Sequence, residues 1–185
     1  YYNHERNGGG MKSRLFRKFL FIFLVCALCD LCGELVSYSA TQQKGKDLEI
    51  AEKTMGEMRA ISGTILDYAM DENAMPQGKT IEEVLQKIKS EPENKDANLS
   101  QTDGWNNPFH YVASSKGEPP GECWLISYGS DGKPDADIYG ADGIPTSKAN
   151  GATEKSEDDI IIHNGEFIRY PAALKTSKWF NAPED

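Results

Sequence analysis

The sequence predicts an α+β domain in which one long helix packs on a small antiparallel β-sheet. Apolar residues recur at helical spacing before residue 73, whereas short aromatic and β-branched runs separated by turns follow Gly104. The composition agrees, because 38% hydrophobic and 10% aromatic residues can form a core and exclude a disordered chain. The 185 residues allow one domain of ordinary size with extensions, and we place that domain at 44–176.

The first predicted element is a helix from about 44 to 72. Its polar residues occupy one face, and Asn73 followed by Pro76 marks its end, because the residue before proline is driven away from helical angles. An apolar stripe of this kind usually packs on the rest of the domain. The stripe consists of Leu48, Ala51, Met55, Met58, Ser62, Ile65 and Ala69.

A second, shorter helix is predicted from its start signal. Thr80 and Glu83 have the spacing of a capping box, in which each side chain bonds a backbone N–H of the first turn. The apolar residues that follow end near Ser90. The polar stretch 91–103 is predicted to be a connecting loop.

Four strands are predicted after the helices, at 109–112, 124–128, 160–163 and 167–170. Asn164-Gly165 between the last two is a strong signal for a two-residue hairpin turn, because both positions of that turn need positive φ. The long helix is expected to cover one face of this sheet.

Charge and motifs exclude several functions. A net charge of −9 and a pI near 4.9 do not fit a nucleic-acid-binding protein, which needs clustered Lys and Arg to neutralise phosphates. No metalloprotease, nucleophile-elbow or phosphate-loop motif is present in the sequence. Cys123 and His163 would be the only nucleophile–base pair to consider, and packing explains Cys123 better. We therefore expect a protein that is not an enzyme.

The beginning of the chain has the pattern of an export signal. Residues 1–10 are interpreted as upstream sequence, and 11–40 as a signal peptide or a short membrane anchor. Basic residues from Lys12 to Lys18 precede the apolar run Phe19–Leu28, which is shorter than the roughly 20 residues that a spanning helix needs. Membrane association through 15–29 and lipidation at Cys26, Cys29 or Cys32 remain alternatives, and 177–185 is interpreted as a tail.

An acidic, glycine-rich segment joins the second and third predicted strands. Neighbouring carboxylates repel one another unless a cation neutralises them, and Ca²⁺ prefers such hard oxygen ligands. A solvated acidic loop explains the composition equally well. An EF-hand does not fit, because Tyr139 and Thr146 stand where acidic ligands are needed. The acidic residues are Asp131, Asp135, Asp137, Asp142, Asp158 and Asp159.

Four ordered motifs across residues 44–170 make the chain resemble the major pseudopilin of bacterial type II secretion systems. They are Tyr68-Ala69-Met70-Asp71 before Pro76, Asp103-Gly104-Trp105-Asn106-Asn107-Pro108-Phe109, Ser127-Tyr128-Gly129-Ser130-Asp131-Gly132 and Ser156-Glu157-Asp158-Asp159-Ile160. The prepilin motif of the family, a Gly cleavage site with Glu at the fifth mature position, is not matched.

The resemblance implies one bound calcium ion. By position, its ligands would be the side chains of Asp131, Asp158 and Asp159 with the backbone carbonyls of Tyr128 and Ser156. The segment between the two ligand motifs is longer than in the family, so that Asp135 or Asp137 is a possible replacement for one ligand.

The function implied is that of a calcium-binding structural subunit or accessory protein of a type II secretion system. Such a protein would associate with itself or with other pseudopilin-like subunits, exported to the periplasm or attached to the inner membrane of a Gram-negative bacterium. The alternative is a free exported calcium-binding domain or lipoprotein with an envelope or extracellular partner.

Overall fold

The structure is a computed structural model that describes residues 42–91, 98–115 and 120–175. The predicted upstream sequence, the signal or anchor segment 11–40 with its three cysteines, and the tail 177–185 lie outside these ranges. Contacts between backbone atoms divide the chain into two compact units, Tyr1–Gly45 and Lys46–Asp185. The sheet, the short helix and most of the long helix belong to the second unit.

The long helix α1 is helical from residue 42, the first described residue, to residue 72, as the apolar stripe predicts. Its end follows from Asn73, which has a φ of 51° and takes the left-handed conformation common after helix C-termini. The predicted stripe is largely buried: Met55, Met58 and Ile65 have no exposed surface.

The short helix α2 spans Ile81–Lys89, and its N-cap is Thr80 as predicted. The Thr80 hydroxyl accepts a hydrogen bond from the Glu83 N–H (3.3 Å), while the Glu83 carboxylate accepts from the Lys79 N–H (2.7 Å). In a regular capping box the Glu83 carboxylate would accept the N–H of the N-cap residue, Thr80, so this second bond is displaced by one residue to Lys79. All four apolar residues of α2 are buried.

Five strands form one mixed sheet in the order β1-β2-β4-β5-β3. The four predicted strands are present, but the prediction of a purely antiparallel sheet is wrong, because β3 pairs in parallel with β5. β3 escaped prediction because Gly-Ala-Thr is too short to show an alternating pattern. The strands are β1 His110–Ser114, β2 Glu122–Ser127, β3 Gly151–Thr153, β4 Ile160–His163 and β5 Glu166–Pro171.

The hairpin between β4 and β5 has the predicted turn. Asn164 and Gly165 both have positive φ, 47° and 89°. The Asn164 Oδ1 accepts a hydrogen bond from the Cys123 N–H (2.8 Å), and the Asn164 backbone N–H donates to the Cys123 carbonyl (3.1 Å). The turn is thus bonded to β2 as well as closing its own hairpin.

The two faces of the sheet carry separate apolar clusters. The inner face, formed by Tyr111, Cys123, Leu125, Ile160 and Ile162, packs on α1 and α2. The outer face, formed by Trp124, Ile126 and Ile161, packs on Ile138 and Ala149. These last two residues belong to the cover loop, residues 135–149, which includes single 3₁₀ turns at Ala136–Ile138 and Ser147–Ala149. The cover for the outer face was not predicted.

Candidate functional site

The two segments predicted to hold a cation lie against each other. The Ser130 N–H donates to the Ser156 carbonyl (2.8 Å), and the two serine hydroxyls are 3.3 Å apart. Gly129, at a φ of 63°, allows this approach, because a Cβ there would be 2.6 Å from the Ser156 carbonyl oxygen. The turn after β2 and the segment before β4 therefore lie in direct contact.

Asp159 is the predicted ligand that the fold buries completely, with no exposed surface. Its Oδ2 accepts the Asp135 N–H (3.1 Å) and the Tyr139 hydroxyl. Its Oδ1 is buried and has no hydrogen-bond partner within the described ranges. A buried carboxylate oxygen without a partner is costly, so this atom is the strongest indication of a ligand in the site.

Asp131 and Asp158 are placed differently from Asp159. Asp131 is exposed and accepts the Lys133 N–H (3.0 Å), whereas half-buried Asp158 accepts the Lys155 N–H (3.1 Å). Each carboxylate thus bonds within its own turn. In the part of the chain that the structure describes, no three His, Cys, Asp or Glu residues form a group that could hold a metal ion.

Asp135 and Asp137, the two possible replacement ligands, have different surroundings. Asp137 is exposed, whereas the Asp135 carboxylate accepts the Asp159 N–H (3.2 Å) and pairs with the Arg169 guanidinium (2.9 Å). Asp135 and Asp159 therefore exchange reciprocal backbone-to-carboxylate bonds. We call Asp135, Tyr139, Asp159 and Arg169 the polar junction.

Sequence reasoning missed Tyr139 and Arg169 as members of this site. The sequence pattern singled out Tyr139 only because it does not fit an EF-hand loop, and it placed Arg169 in the last predicted strand. Neither has a local spacing that links it to Asp159, since loop packing brings Tyr139 to the site and strand pairing brings Arg169. The only available signal was the position of Tyr139 between acidic residues.

The electrostatics of the junction follow from burial. Burial raises the pKa of the Asp159 carboxyl to about 6, and the charge of Asp135 acts in the same direction. The Tyr139 hydroxyl, the Asp135 N–H and Arg169 oppose that rise. Burial, followed by the bond to Asp159, raises the pKa of Tyr139, so its hydroxyl remains a donor. The site therefore favours a positive charge near Asp159.

The Asp103-to-Asn107 turn supports the site from one side. Asp103 is buried, and its Oδ1 accepts the N–H groups of Trp105 (3.0 Å) and Asn107 (2.9 Å). Its Oδ2 accepts the Ser127 hydroxyl (2.6 Å), and the Asn107 amide donates to the Gly129 carbonyl (2.8 Å). The most specific sequence motif thus connects the end of β2 to the candidate site.

Cys123 and His163 are not arranged as a nucleophile and base. Cys123 belongs to the inner face, and burial raises its thiol pKa to about 11, which disfavours the thiolate. The His163 ring stacks on Trp124 of the outer face, with ring centroids 4.6 Å apart. The thiol and the imidazole therefore lie on opposite faces of the sheet.

Among the described residues, no helix combines the length and the apolar character needed to cross a membrane.

Comparison with known proteins gave one family. The family model described as type II secretion system (T2SS), protein G matches residues 40–144, more than half of the chain. The match includes α1, the Asp103 turn, β1, β2 and the turn with Asp131, and it ends inside the cover loop. No curated protein and no solved structure matches the chain.

Proposed function

The chain belongs to the type II secretion system protein G family, the pseudopilins, and we propose that it is an exported structural subunit whose sheet is stabilised by calcium. The family match carries the first part of this proposal. Members of this family are structural components that assemble with other pseudopilin subunits in the envelope of Gram-negative bacteria. The α+β fold, with α1 packed on the inner face of the sheet, is consistent with that role.

A role in secretion can be tested in the bacterium of origin. Deletion of the gene should retain type II substrates inside the cell, and a plasmid copy should restore their release into the medium. A complementing copy with Met58→Asp, which places a charge in the inner core, should fail to restore release. Normal release by the deletion strain would contradict the role in secretion.

The calcium part of the proposal is supported by the chemistry of the donors. Every candidate ligand is an oxygen atom: the carboxylates of Asp131, Asp158 and Asp159 and the carbonyls of Tyr128 and Ser156. Ca²⁺ accepts six to eight such ligands, whereas Zn²⁺ and Cu²⁺ prefer sulfur and nitrogen. The bound ion would add a positive charge next to Asp159, whereas the Arg169 guanidinium is paired with Asp135.

Asp159 is the central ligand of the proposed site because its Oδ1 is buried and, among the described residues, has no hydrogen-bond partner. The Ser156 carbonyl already accepts one hydrogen bond and retains a second lone pair. To coordinate the cation, the carboxylate of Asp131 would give up its hydrogen bond from the Lys133 N–H, and the carboxylate of Asp158 its bond from the Lys155 N–H. Both of these bonds lie at partly or fully exposed positions, so the exchange would cost little.

Calorimetric titration of the whole chain with CaCl₂, and separately with MgCl₂, tests the metal. We expect calcium to bind to the wild type and to Asp137→Ala, a control in which an exposed carboxylate is removed from the same acidic segment. Asp159→Ala should abolish binding and Asp131→Asn should weaken it. Circular dichroism would verify that each variant is folded.

Two results would contradict the calcium site. The first is a wild-type chain that binds no calcium. The second is a folded Asp159→Ala variant that binds calcium as tightly as the wild type.

A further inference from the structure

The cover loop is bonded to Asp159, the buried carboxylate among the candidate ligands. Asp159 Oδ2 accepts the Tyr139 hydroxyl and the Asp135 N–H, and both donors belong to the cover loop. Asp159 Oδ1 is buried and has no partner in the described ranges. The two oxygens of one side chain therefore differ: one is engaged by the loop, and the other remains available to a ligand.

We propose that Asp159 couples cation binding to docking of the cover loop, with Tyr139 and Asp135 as positioning residues for its carboxylate. This inference rests on the calcium site proposed above and assigns a consequence to it. The cation would strengthen the attachment of residues 135–149 to the outer face, and the docked loop would strengthen binding of the cation.

The loop restrains Asp159 at both its side chain and its main chain. The Asp135 N–H donates to the Asp159 carboxylate (3.1 Å), and the Asp159 N–H donates to the Asp135 carboxylate (3.2 Å). The guanidinium of Arg169, on β5, donates to the same oxygen of Asp135, Oδ2 (2.9 Å). A carboxylate held in one orientation loses less conformational entropy when it binds a cation, which favours binding.

The opposite effect, of the cation on the loop, follows from linkage. If the docked loop orients Asp159 and so tightens binding of the cation, the bound cation must stabilise the docked loop to the same extent. Because Ile138 lies next to Tyr139 and packs on Trp124, Ile126 and Ile161, a Tyr139 that is held more firmly also holds the apolar cover in place.

The loop has internal hydrogen bonds through which this restraint can extend along it. The Thr146 N–H donates to the Ile138 carbonyl (2.8 Å), and the Gly140 N–H donates to the Ile144 carbonyl (2.9 Å). The Ala149 N–H in turn donates to the Thr146 carbonyl (2.9 Å). A change at Tyr139 should therefore reach Ala149, which packs in the same outer cluster.

The test combines two measurements on the whole chain. Calorimetry with CaCl₂ gives the Kd, and hydrogen exchange followed by mass spectrometry gives the protection of residues 135–149 with calcium and with chelator. Linkage requires that the two effects be reciprocal, and couplings of this kind typically change affinity about 5- to 150-fold. We expect Tyr139→Phe to raise the Kd about 5- to 10-fold and to reduce the protection that calcium gives the loop.

Matched variants separate coupling from a general loss of stability. Tyr111→Phe also removes a tyrosine hydroxyl together with its hydrogen bond, here the bond donated to the Pro76 carbonyl (3.0 Å), but on the inner face of the sheet. Asp137→Asn removes an exposed charge from the turn that joins Asp135 to Tyr139. Both controls should keep the wild-type Kd and loop protection, whereas Asp135→Asn should behave like Tyr139→Phe.

The outcomes distinguish this inference from the proposed function. If calcium binds equally well to the wild type and Tyr139→Phe, or leaves exchange of 135–149 unchanged, the coupling is wrong and the calcium site stands. If the wild type binds no calcium, the site and the coupling are both wrong. If Tyr111→Phe raises the Kd as much as Tyr139→Phe does, the assignment to the Tyr139 hydroxyl is overturned.

Discussion

The inner and outer faces of the sheet are covered by different kinds of structure. On the inner face, two helices supply regularly spaced apolar side chains, and the cluster extends from Ala51 to Leu174. On the outer face, an irregular loop supplies Ile138 and Ala149 and is anchored by the polar junction. The inner cover is held mainly by apolar packing, whereas the outer cover also depends on one buried carboxylate.

If the proposed coupling holds, one face of the sheet is insensitive to the cation and the other responds to it. Regular helices keep their shape through their own hydrogen bonds, so the inner face does not need Asp159. The cover loop contains only two 3₁₀ turns and a few backbone bonds, and its attachment includes charged groups.

Ile162→Ala and Ile161→Ala form a matched pair on β4. Ile162 is 1% exposed on the inner face, and Ile161 is fully buried on the outer face. We expect denaturant unfolding to show a loss of about 4 kcal/mol for Ile162→Ala and about 2–3 kcal/mol for Ile161→Ala, because an irregular loop can relax into the cavity. Equal losses would show that both covers are equally rigid.

Asp103→Ala should destabilise the chain by about 3 kcal/mol, measured by the same method. The substitution leaves two backbone N–H groups and the Ser127 hydroxyl without their buried acceptor. Asp131→Ala, measured in chelator so that calcium does not contribute, is the control, because Asp131 also accepts a turn N–H but is exposed; its loss should cost under about 1 kcal/mol. Similar costs at the two positions would contradict a structural role for the Asp103 turn.

Alkaline pH tests the inner face separately. Burial raises the pKa of Cys123 from 9.0 to about 11, so the folded state retains a proton that the unfolded state loses in that window. Stability from this group is complete below pH 9 and falls as the pH rises towards 11, by about 2–3 kcal/mol. The free energy of unfolding of Cys123→Ala should therefore fall less between pH 9 and 11. Parallel pH profiles for the two proteins would contradict burial of the thiol.

Thr80→Ala is expected to have the smallest effect, about 1 kcal/mol, because it removes the N-cap of α2. Thr80→Ser keeps the hydroxyl and should cost less. Neither substitution should change hydrogen exchange in residues 135–149, since α2 contributes to the inner cluster. A change there would show that the two faces are not independent.

The inner half of the fold could be predicted because its signals are local. The spacing of Met55, Met58 and Ile65 gave α1, Thr80 gave the start of α2, and Asn164-Gly165 gave the hairpin. Each signal follows from the geometry of a helix or turn within a few residues.

The outer half could not be predicted because its contacts are set by tertiary packing. Ile138 and Ala149 have no periodic partners in sequence, and three residues of β3 carry no alternating pattern. For the site, the motifs indicated that the Tyr128 turn and the Asp159 segment would meet, and the structure places them together. The contacts of Tyr139 and Arg169 with Asp135 and Asp159 depend on the long cover loop and could not be obtained from the spacing of acidic residues.

The central claim is that Asp159 binds a calcium ion that stabilises the fold, and equilibrium unfolding of the whole chain tests it most directly. The wild type and Asp159→Ala would be compared in chelator and in CaCl₂. At 100 times the Kd, a ligand that binds only the folded state adds about 2.7 kcal/mol to the free energy of unfolding. We expect calcium to raise the free energy of unfolding of the wild type by this amount and to leave that of Asp159→Ala unchanged. No increase in the wild type, or an equal increase in both proteins, would contradict this claim.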